Sequence, residues 1–391
     1  MAPQSFYQDR GTPIAVDNLL KVMSERGDEV DVVAYHEGAD VYYEGVTIHR
    51  IPRIPVHDIQ AGFSWKKVVC DFFMLWTVLL LVLKRRYDLI HAVEESAFIA
   101  LLLKPFFRLP YVYDMDSSLA QQMVEQVPWF EPISFIFRFF EGLAVKHAQA
   151  VAPVCRSLAE DVGKYDPQKV VILHDVSMLK DVKPQGHNGI RHQLHIDGVM
   201  LMYVGNLQTY QGIDLLLESF AVALKSTKQV NLVIIGGATN DIEKYLVKSY
   251  HLGIHLKVHF LGPRPIEDLA AYLAEADILV SPRIKGRNTP MKVYSYLHSG
   301  KPLLATALPT HTQVMDNEAA MLTEPTAEAY AAGMVQLIEN ETLRHQLGEA
   351  GKHLIETQFS YPVFRERSNH LFDWLKQENS YRRKVAYSVS K

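Results

Sequence analysis

The residues best suited to chemistry lie in one stretch, Ser281 to Thr306. It reads as a strand, a basic loop, a helix, a Gly300-Lys301-Pro302 turn and a further strand. Between Arg283 and Pro290 the loop carries three cations, Arg283, Lys285 and Arg287, with Gly286 among them. It feeds a helix start, where unbonded backbone N–H groups and the macrodipole favour a phosphate. Lys292 falls in the first turn, a poor place for a cation unless an anion compensates it. A solvated basic loop is the alternative; the convergence of cations, glycine and helix start favours an anion site. Glycines at strand ends, Gly205, Gly236, Gly237 and Gly262, would let backbone approach a ligand, although each alone is common punctuation. In the first half of the chain, Asp114 and Asp116 are two residues apart, so extended backbone would turn both to one side. An Asx turn, or a helix N-cap by Ser117 or Ser118, accounts for the same residues. His91 ends another strand and is followed by Glu94 and Glu95. Asp71 and Glu141, in apolar surroundings, read as paired core acids.

Several chemistries are weakened. The dinucleotide fingerprint, the P-loop, the nucleophile elbow and the H-E-x-x-H zinc motif are absent. Asp114-Met-Asp116 is the sole D-x-D stretch and a weak metal signal. Cys70 and Cys155 are too few for a structural zinc site and point to a reducing compartment. A net charge of −4 gives no global reason to expect nucleic-acid binding.

These residues need a scaffold. Short apolar strands alternate with amphipathic helices in two blocks, which implies an α/β class with two doubly wound domains. The 391 residues leave room for two to three domains. The expected divisions are an N-terminal domain at 1–180, a polar linker at 181–197, a C-terminal domain at 198–360, a helix at 361–378 and a frayed tail at 379–391. In open α/β sheets, ligands bind at the carboxyl ends of strands, near the topological switch.

No signal peptide is visible at the start. Val68 to Leu83 is apolar except for Asp71 and Thr77, with Lys66 and Lys67 before it and Lys84, Arg85 and Arg86 after it. It falls short of the roughly 20 residues that span a bilayer. A buried helix of an α/β domain is the simpler reading; a helix lying on a membrane surface is the other. Phe98 to Phe107 is a second apolar-aromatic run, and Phe130 to Phe140 reads as core or membrane-facing.

The Ser281–Thr306 stretch resembles the donor-site signature of retaining glycosyltransferases of family 4, with Pro290, Lys292, Tyr296, Gly300, Lys301, Pro302, Ala305 and Thr306 matching. Tyr203 to Asp214, Ala276 to Pro282 and Ala2 to Ile14 are similar to other segments of that family, to about residue 375 overall. The resemblance implies a GT-B fold: two Rossmann-like domains facing a central cleft, with the C-terminal helix crossing back to the N-terminal domain. It implies transfer of a sugar from a nucleotide diphosphate sugar to a glycan, glycolipid or polysaccharide-precursor acceptor with retention of configuration (EC 2.4), without a metal or other cofactor. A role in cell-envelope polysaccharide synthesis, a cytoplasmic location and contact with the inner face of the membrane follow as expectations, as does the absence of nucleic acid among the partners. On this reading Asp116, His91, Arg283 and Lys292 are catalytic. The donor would meet Gly205, Asn206, Gln211, Gly236, Gly237, Arg283, Asn288, Thr289, Pro290, Met291, Lys292 and Ser295. The acceptor would meet Arg10, Gly11, Thr12, Glu94 and Asp114.

The departures are specific. Ser295 stands where the family usually has an acid for the ribose hydroxyls, and Asn206 and Gln211 stand where many relatives carry cations for the diphosphate. Asp116 replaces a histidine. These leave open an inactive or scaffold protein that binds nucleotide sugar, or a GT-B epimerase. Relatives also begin with an apolar strand just before the loop that here starts at Ala2, so a central sheet is expected to lack its first strand. Either the true start lies upstream or the strand has been lost.

Overall fold

The computed structural model describes residues 1–8, 11–57, 59, 64–126, 128–179 and 189–389. The chain divides into two units, one of residues 1–175 with 361–391 and one of residues 176–360.

The first unit opens with α1 (Gly11–Glu25), β1 (Val30–Ala34), β2 (Val46–Arg50), α2 (Trp65–Lys84), β3 (Ile90–Val93) and α3 (Ser96–Phe107). It continues with β4 (Tyr111–Met115), α4 (Leu119–Gln126), α5 (Ser134–His147), β5 (Ala150–Pro153) and α6 (Arg156–Gly163). Its strands form two parallel sheets, β1-β2 and β3-β4-β5. Helix α1 forms because its apolar residues recur at helical spacing and bury Ile14, Val16, Leu19, Leu20 and Met23 on one face. It stops at Gly27, whose φ of +73° suits a residue without a Cβ. The expected strand at Val170 to Leu173 is reduced to one bridge, Val151 to Val170. Met1 and Ala2 form no strand; Ala2 makes an isolated parallel bridge to Ala34.

The buried-helix reading of Val68 to Leu83 needs correction. Of α2, only Cys70, Met74 and Val78 are buried, while Trp65, Val68, Phe72, Trp76, Leu80 and Leu83 are exposed. A helix packed on one stripe covers about a third of its circumference, and this one is apolar all round. Asp71 and Glu141 are the paired acids expected: the Tyr35 hydroxyl donates to Asp71 (2.6 Å), and Glu141 accepts from Ser118 (3.0 Å) and the Ala120 N–H (3.1 Å).

The second unit contains α7 (Ile190–Gln193), β6 (Val199–Val204), α8 (Ile213–Ala223), β7 (Val230–Ile235), α9 (Thr239–His251), β8 (Val258–Gly262) and α10 (Leu269–Glu275). Then follow β9 (Ile278–Ser281), α11 (Met291–His298), β10 (Leu303–Thr306), α12 (Pro309–Thr312), β11 (Met321–Thr323), α13 (Ala327–Glu339) and α14 (Glu341–Gln358). Its six strands form one parallel sheet in the order β11-β10-β9-β6-β7-β8. All residues of β7 are buried, as a strand covered on both faces requires. The sheet grows outward in both directions from β6 and β9, so the switch point lies between their carboxyl ends. Of the expected linker, residues 181–188 lie outside the described residues; Ile190–Gln193 is a helix of the second unit, its first N–H groups capped by the Glu275 carboxylate at 2.9 Å.

The chain returns to the first unit as α15 (Tyr361–Val389), which runs past the expected end at 378. Arg26, beyond α1, fixes it by donating to Asn369 (3.0 Å) and Asp373 (2.8 Å) and lying over the Phe372 ring.

Candidate functional site

In the second unit, the loops leaving β6 and β9 meet the start of α11 at the switch point. Tyr296 ties α11 to the end of β6: its hydroxyl accepts from the Val204 N–H (2.6 Å) and donates to the Val204 carbonyl (2.9 Å). That clamp brings Lys292, one turn earlier, to 3.9 Å from the centre of the Tyr203 ring, within cation–π range. The Lys292 ammonium donates to Gln211 Oε1 at 3.0 Å. A Cβ on Gly205, whose φ is +151°, would lie 3.2 Å from Lys292 Nζ and 3.3 Å from the Tyr203 hydroxyl. Gly236 is more tightly constrained, since a Cβ there would lie 2.2 Å from the Gly205 carbonyl oxygen. A side chain at Gly205 would crowd the ammonium, and one at Gly236 would displace the Gly205 backbone beside it.

Arg283 is the second cation, only 8% exposed. It donates to the Lys285 carbonyl (2.7 Å) and Asn288 Oδ1 (3.3 Å) and lies over the Tyr210 ring. Burial, then the charge of Arg283, pushes the Lys292 ammonium well below the usual lysine range. No carboxylate among the described residues pairs with Lys292. Buried Arg283 beside half-buried Lys292 is an arrangement able to cradle an anion with more than one negative charge.

Beneath Arg283 the strand ends are locked. His311, fully buried, meets Ser281 Oγ (2.8 Å) through Nε2 and the Thr306 carbonyl (2.8 Å) through Nδ1. Burial pushes its pKa down to about 3, so the ring is neutral. The Thr306 hydroxyl donates to the Arg283 carbonyl at 2.6 Å.

Not every expected donor residue joins this cradle. Ser295 is fully buried and its hydroxyl accepts from the Met178 N–H at 2.9 Å; that position serves backbone packing. Asn206 is exposed, and its side chain accepts from the Gln208 N–H in an Asx-type turn. Thr289 is buried and accepts from Gln313 (3.0 Å), shaping the loop ahead of Pro290 and Met291. Gly237 lies against Leu207. Tyr203, Tyr210 and His311 escaped sequence reasoning; nothing in an isolated aromatic or histidine announces a cation or a strand end above it.

In the first unit, carboxylates gather at the carboxyl ends of β3 and β4. His91 Nε2 meets Asp114 Oδ2 at 2.9 Å, and the His91 ring lies 6.1 Å from that of Phe372. Burial and then the Asp114 charge push Asp116 up to about 7, opposed by a hydrogen bond from the Thr12 side chain beside Gly11 at the start of α1. Glu94 holds a φ of +50°, a strained value for a non-glycine residue, and accepts from Ser117 (3.0 Å). Burial and then Asp116 push Glu94 well above the usual carboxylate range. Asp175, which sequence reasoning missed, joins the group and is raised well above its ordinary value by burial, Asp116 and Asp114. Ser118 performs the capping alternative, accepting from the Gln121 N–H ahead of α4 (3.2 Å). Arg10 lies outside the described residues. The arrangement can hold protonated carboxyls near neutral pH, able both to donate to and accept from a sugar hydroxyl. One set of metal-competent side chains occurs among the described residues: His36, Glu37 and His57, with ligand atoms within 4.8 Å of one another.

Comparison with known proteins supports the reading. Residues 170–354 match the family model for glycosyl transferases group 1, and residues 10–175 that for a glycosyl transferase 4-like domain. D-inositol 3-phosphate glycosyltransferase of Corynebacterium glutamicum is 24% identical over 286 residues, 68% of this chain and 67% of that protein, so the match spans about two thirds of the relative's length. Among solved structures, sucrose-phosphate synthase from Thermosynechococcus elongatus has a TM-score of 0.77 at 18% identity, over 94% of both chains. The Anabaena protein HepE in complex with UDP-glucose has a TM-score of 0.72 at 15% identity, over 95% of this chain and 98% of that one. This chain thus belongs to the group 1 glycosyl transferases, the retaining, nucleotide-sugar-dependent glycosyltransferases of family 4, on the GT-B fold.

Proposed function

We propose that the chain moves a hexosyl group from a uridine diphosphate sugar to a hydroxyl of a glycan, glycolipid or polysaccharide precursor, with retention of configuration. The observation that carries this reading is buried Arg283 beside half-buried Lys292, at the switch point of the second unit. The HepE complex with UDP-glucose, on the same fold, supports uridine diphosphate as the carrier. In the reaction, the bond between the anomeric carbon and the diphosphate oxygen breaks, and a bond to the acceptor oxygen forms on the same face. The acceptor proton leaves with the diphosphate. Negative charge grows on the leaving oxygens, and Arg283 and Lys292 stabilise it there more than in the ground state. This scheme uses no resident metal. His91, Asp114, Asp116, Glu94 and Thr12 hold the acceptor's hydroxyls in this reading.

In this reading the acceptor lies at a membrane surface on the cytoplasmic side, in the service of the cell envelope. Supporting this are the exposed Phe72 and Trp76 of α2, Phe106 of α3 and Phe135 and Phe139 of α5, with Lys84, Arg85 and Arg86 at the end of α2. Between α2 and α3 lies an apolar groove of about 380 Å³ lined by residues such as Leu75, Leu79 and Phe107. No helix among the described residues is long and apolar enough to cross a membrane.

Melting curves with UDP, GDP and ADP, followed by a radiolabelled transfer assay with UDP-glucose and a membrane-lipid extract, test the proposal. Stabilisation by UDP and a labelled product are expected; no response to any nucleoside diphosphate would overturn it. The engagement of Ser295 with Met178 favours a second reading, a protein that binds nucleotide sugar without transfer; UDP stabilisation with no product from any donor would select it.

A further inference from the structure

Three side chains of the first unit form a set that neither the donor cradle nor the acceptor carboxylates use. They are His36, Glu37 and His57, each offering a ligand atom within 4.8 Å of the other two. His36 and Glu37 follow β1, and His57 lies between β2 and α2. Both ring nitrogens of His36 are shielded from solvent and have no hydrogen-bond partner among the described residues. A shielded polar group without a partner costs stability unless something else satisfies it. His57 Nδ1 stands 3.3 Å from Glu37 Oε1. That is long for a hydrogen bond to a carboxylate, and it matches the edge of about 3.4 Å between two ligands of a tetrahedral ion held at about 2.0–2.1 Å. The two imidazole rings, 6.1 Å apart, are inclined at 69°, so neither stacks on the other.

The backbone around the set is held by other contacts. Arg50 Nη1 donates to the carbonyls of Glu37 (2.8 Å) and Phe6 (2.7 Å), and Nη2 to that of Ala39 (2.9 Å). Gly38 follows at a φ of +118°, where a Cβ would lie 2.3 Å from the Phe6 carbonyl oxygen. Tyr35, just before His36, and Val56, just before His57, are buried in one core cluster. The Lys66 ammonium donates to the His57 carbonyl at 2.5 Å. Ser5 donates to Glu37 Oε2 at 3.3 Å, while Oε1 faces His57. Outer partners of this kind aim the ligands of a metal site. The His57 side chain is 74% exposed, so it can turn to close the triangle, and the position beside it meets solvent.

We propose that His36, Glu37 and His57 bind one divalent transition-metal ion of the zinc(II) class, with water as the fourth ligand. Two imidazoles and one carboxylate suit zinc, whereas magnesium and calcium take oxygen ligands. The ion ties the segment after β2, which carries His57 toward α2, to the turn after β1. Two stretches that only the core and Arg50 otherwise hold together thereby gain a direct bond. Sugar transfer as proposed above uses no metal, so the inference is independent of that reading. The ion acts on the stability of the first unit and not on the leaving group.

The test uses the full chain without an affinity tag, stripped of metal by a chelator. Zinc affinity is measured by competition with a chromophoric chelator, ligand geometry by the visible spectrum with cobalt(II), and stability by the melting temperature. The parent chain should bind one zinc ion and show the intense bands of four-coordinate cobalt. It should also melt about 5 °C higher at a zinc concentration about 100-fold above its Kd. His57→Ala and Glu37→Gln should each weaken zinc binding at least about 100-fold, remove the cobalt bands and abolish the rise in melting temperature. His345→Ala, which removes an equally exposed histidine on α14, should change none of the three. Failure of the parent to bind one ion would overturn the proposal. So would zinc binding that survives both His57→Ala and Glu37→Gln, by placing the ion at other histidines.

Discussion

Lys292 is the sharpest place to test the donor cradle. The ammonium has one neutral hydrogen-bond acceptor, Gln211 Oε1, one aromatic face, Tyr203, and one nearby charge of its own sign, Arg283. A diphosphate would supply the missing negative charge. A charge-assisted hydrogen bond contributes about 1.5–3 kcal/mol, so Lys292→Met should weaken UDP binding about 10- to 150-fold. The depressed pKa adds a second signature. On the alkaline side of its free-state pKa the lysine is neutral, and the bound diphosphate raises the pKa again, so binding must take up a proton. The affinity of the parent chain should therefore fall as pH rises through that range, by up to about tenfold per unit. Titration calorimetry over a pH series, in two buffers of different ionisation enthalpy, measures the uptake, because the observed enthalpy differs by the proton count times the difference in buffer ionisation enthalpy. The parent should take up a proton at the alkaline end of the series and Lys292→Met none. An unchanged Kd with an unchanged proton count would refute the assignment of Lys292 to the diphosphate.

Three further outcomes are expected. A Cβ at Gly286 would lie 2.4 Å from Arg283 Nη2, on a backbone with φ of +109°, so Gly286→Ala should displace the guanidinium and weaken UDP binding at least about tenfold, as measured by calorimetry. Asp116 keeps its proton to about pH 7 when folded but releases it near 4 when unfolded, so its contribution to stability is full below pH 4 and is lost as pH rises to 7, by up to about 4 kcal/mol. Urea denaturation at pH 4.5 and 7.5 should show that Asp116→Asn removes this component. Phe72→Glu with Trp76→Glu should abolish co-flotation with vesicles containing anionic lipid, and raising salt should weaken binding of the parent chain; flotation unaffected by the substitutions would refute the membrane face.

Much of the fold was legible because it rests on local signals. The short valine-rich runs, the amphipathic α1 and the glycines at strand ends each state their own structure through period and φ preference. The basic loop running into α11 was legible as well, since a helix start and its cations are neighbours in sequence. Less legible was which side chains point into that site. Ser295 and Lys292 are three residues apart on α11, yet one bonds to the Met178 backbone and the other reaches Gln211, 81 positions away.

By itself, then, the sequence determined the α/β alternation, the division into two units' worth of strands and helices, and the family signature at Pro290 to Thr306. The tertiary structure alone decided that Tyr296 pins α11 to β6, that Asp175 joins Asp114 and Asp116, and that half of α2 stays uncovered. The physical reason is one of range. Periodicity and turn chemistry act over a few residues, whereas the partner that covers a face, neutralises a charge or completes a sheet comes from far along the chain and is set by packing.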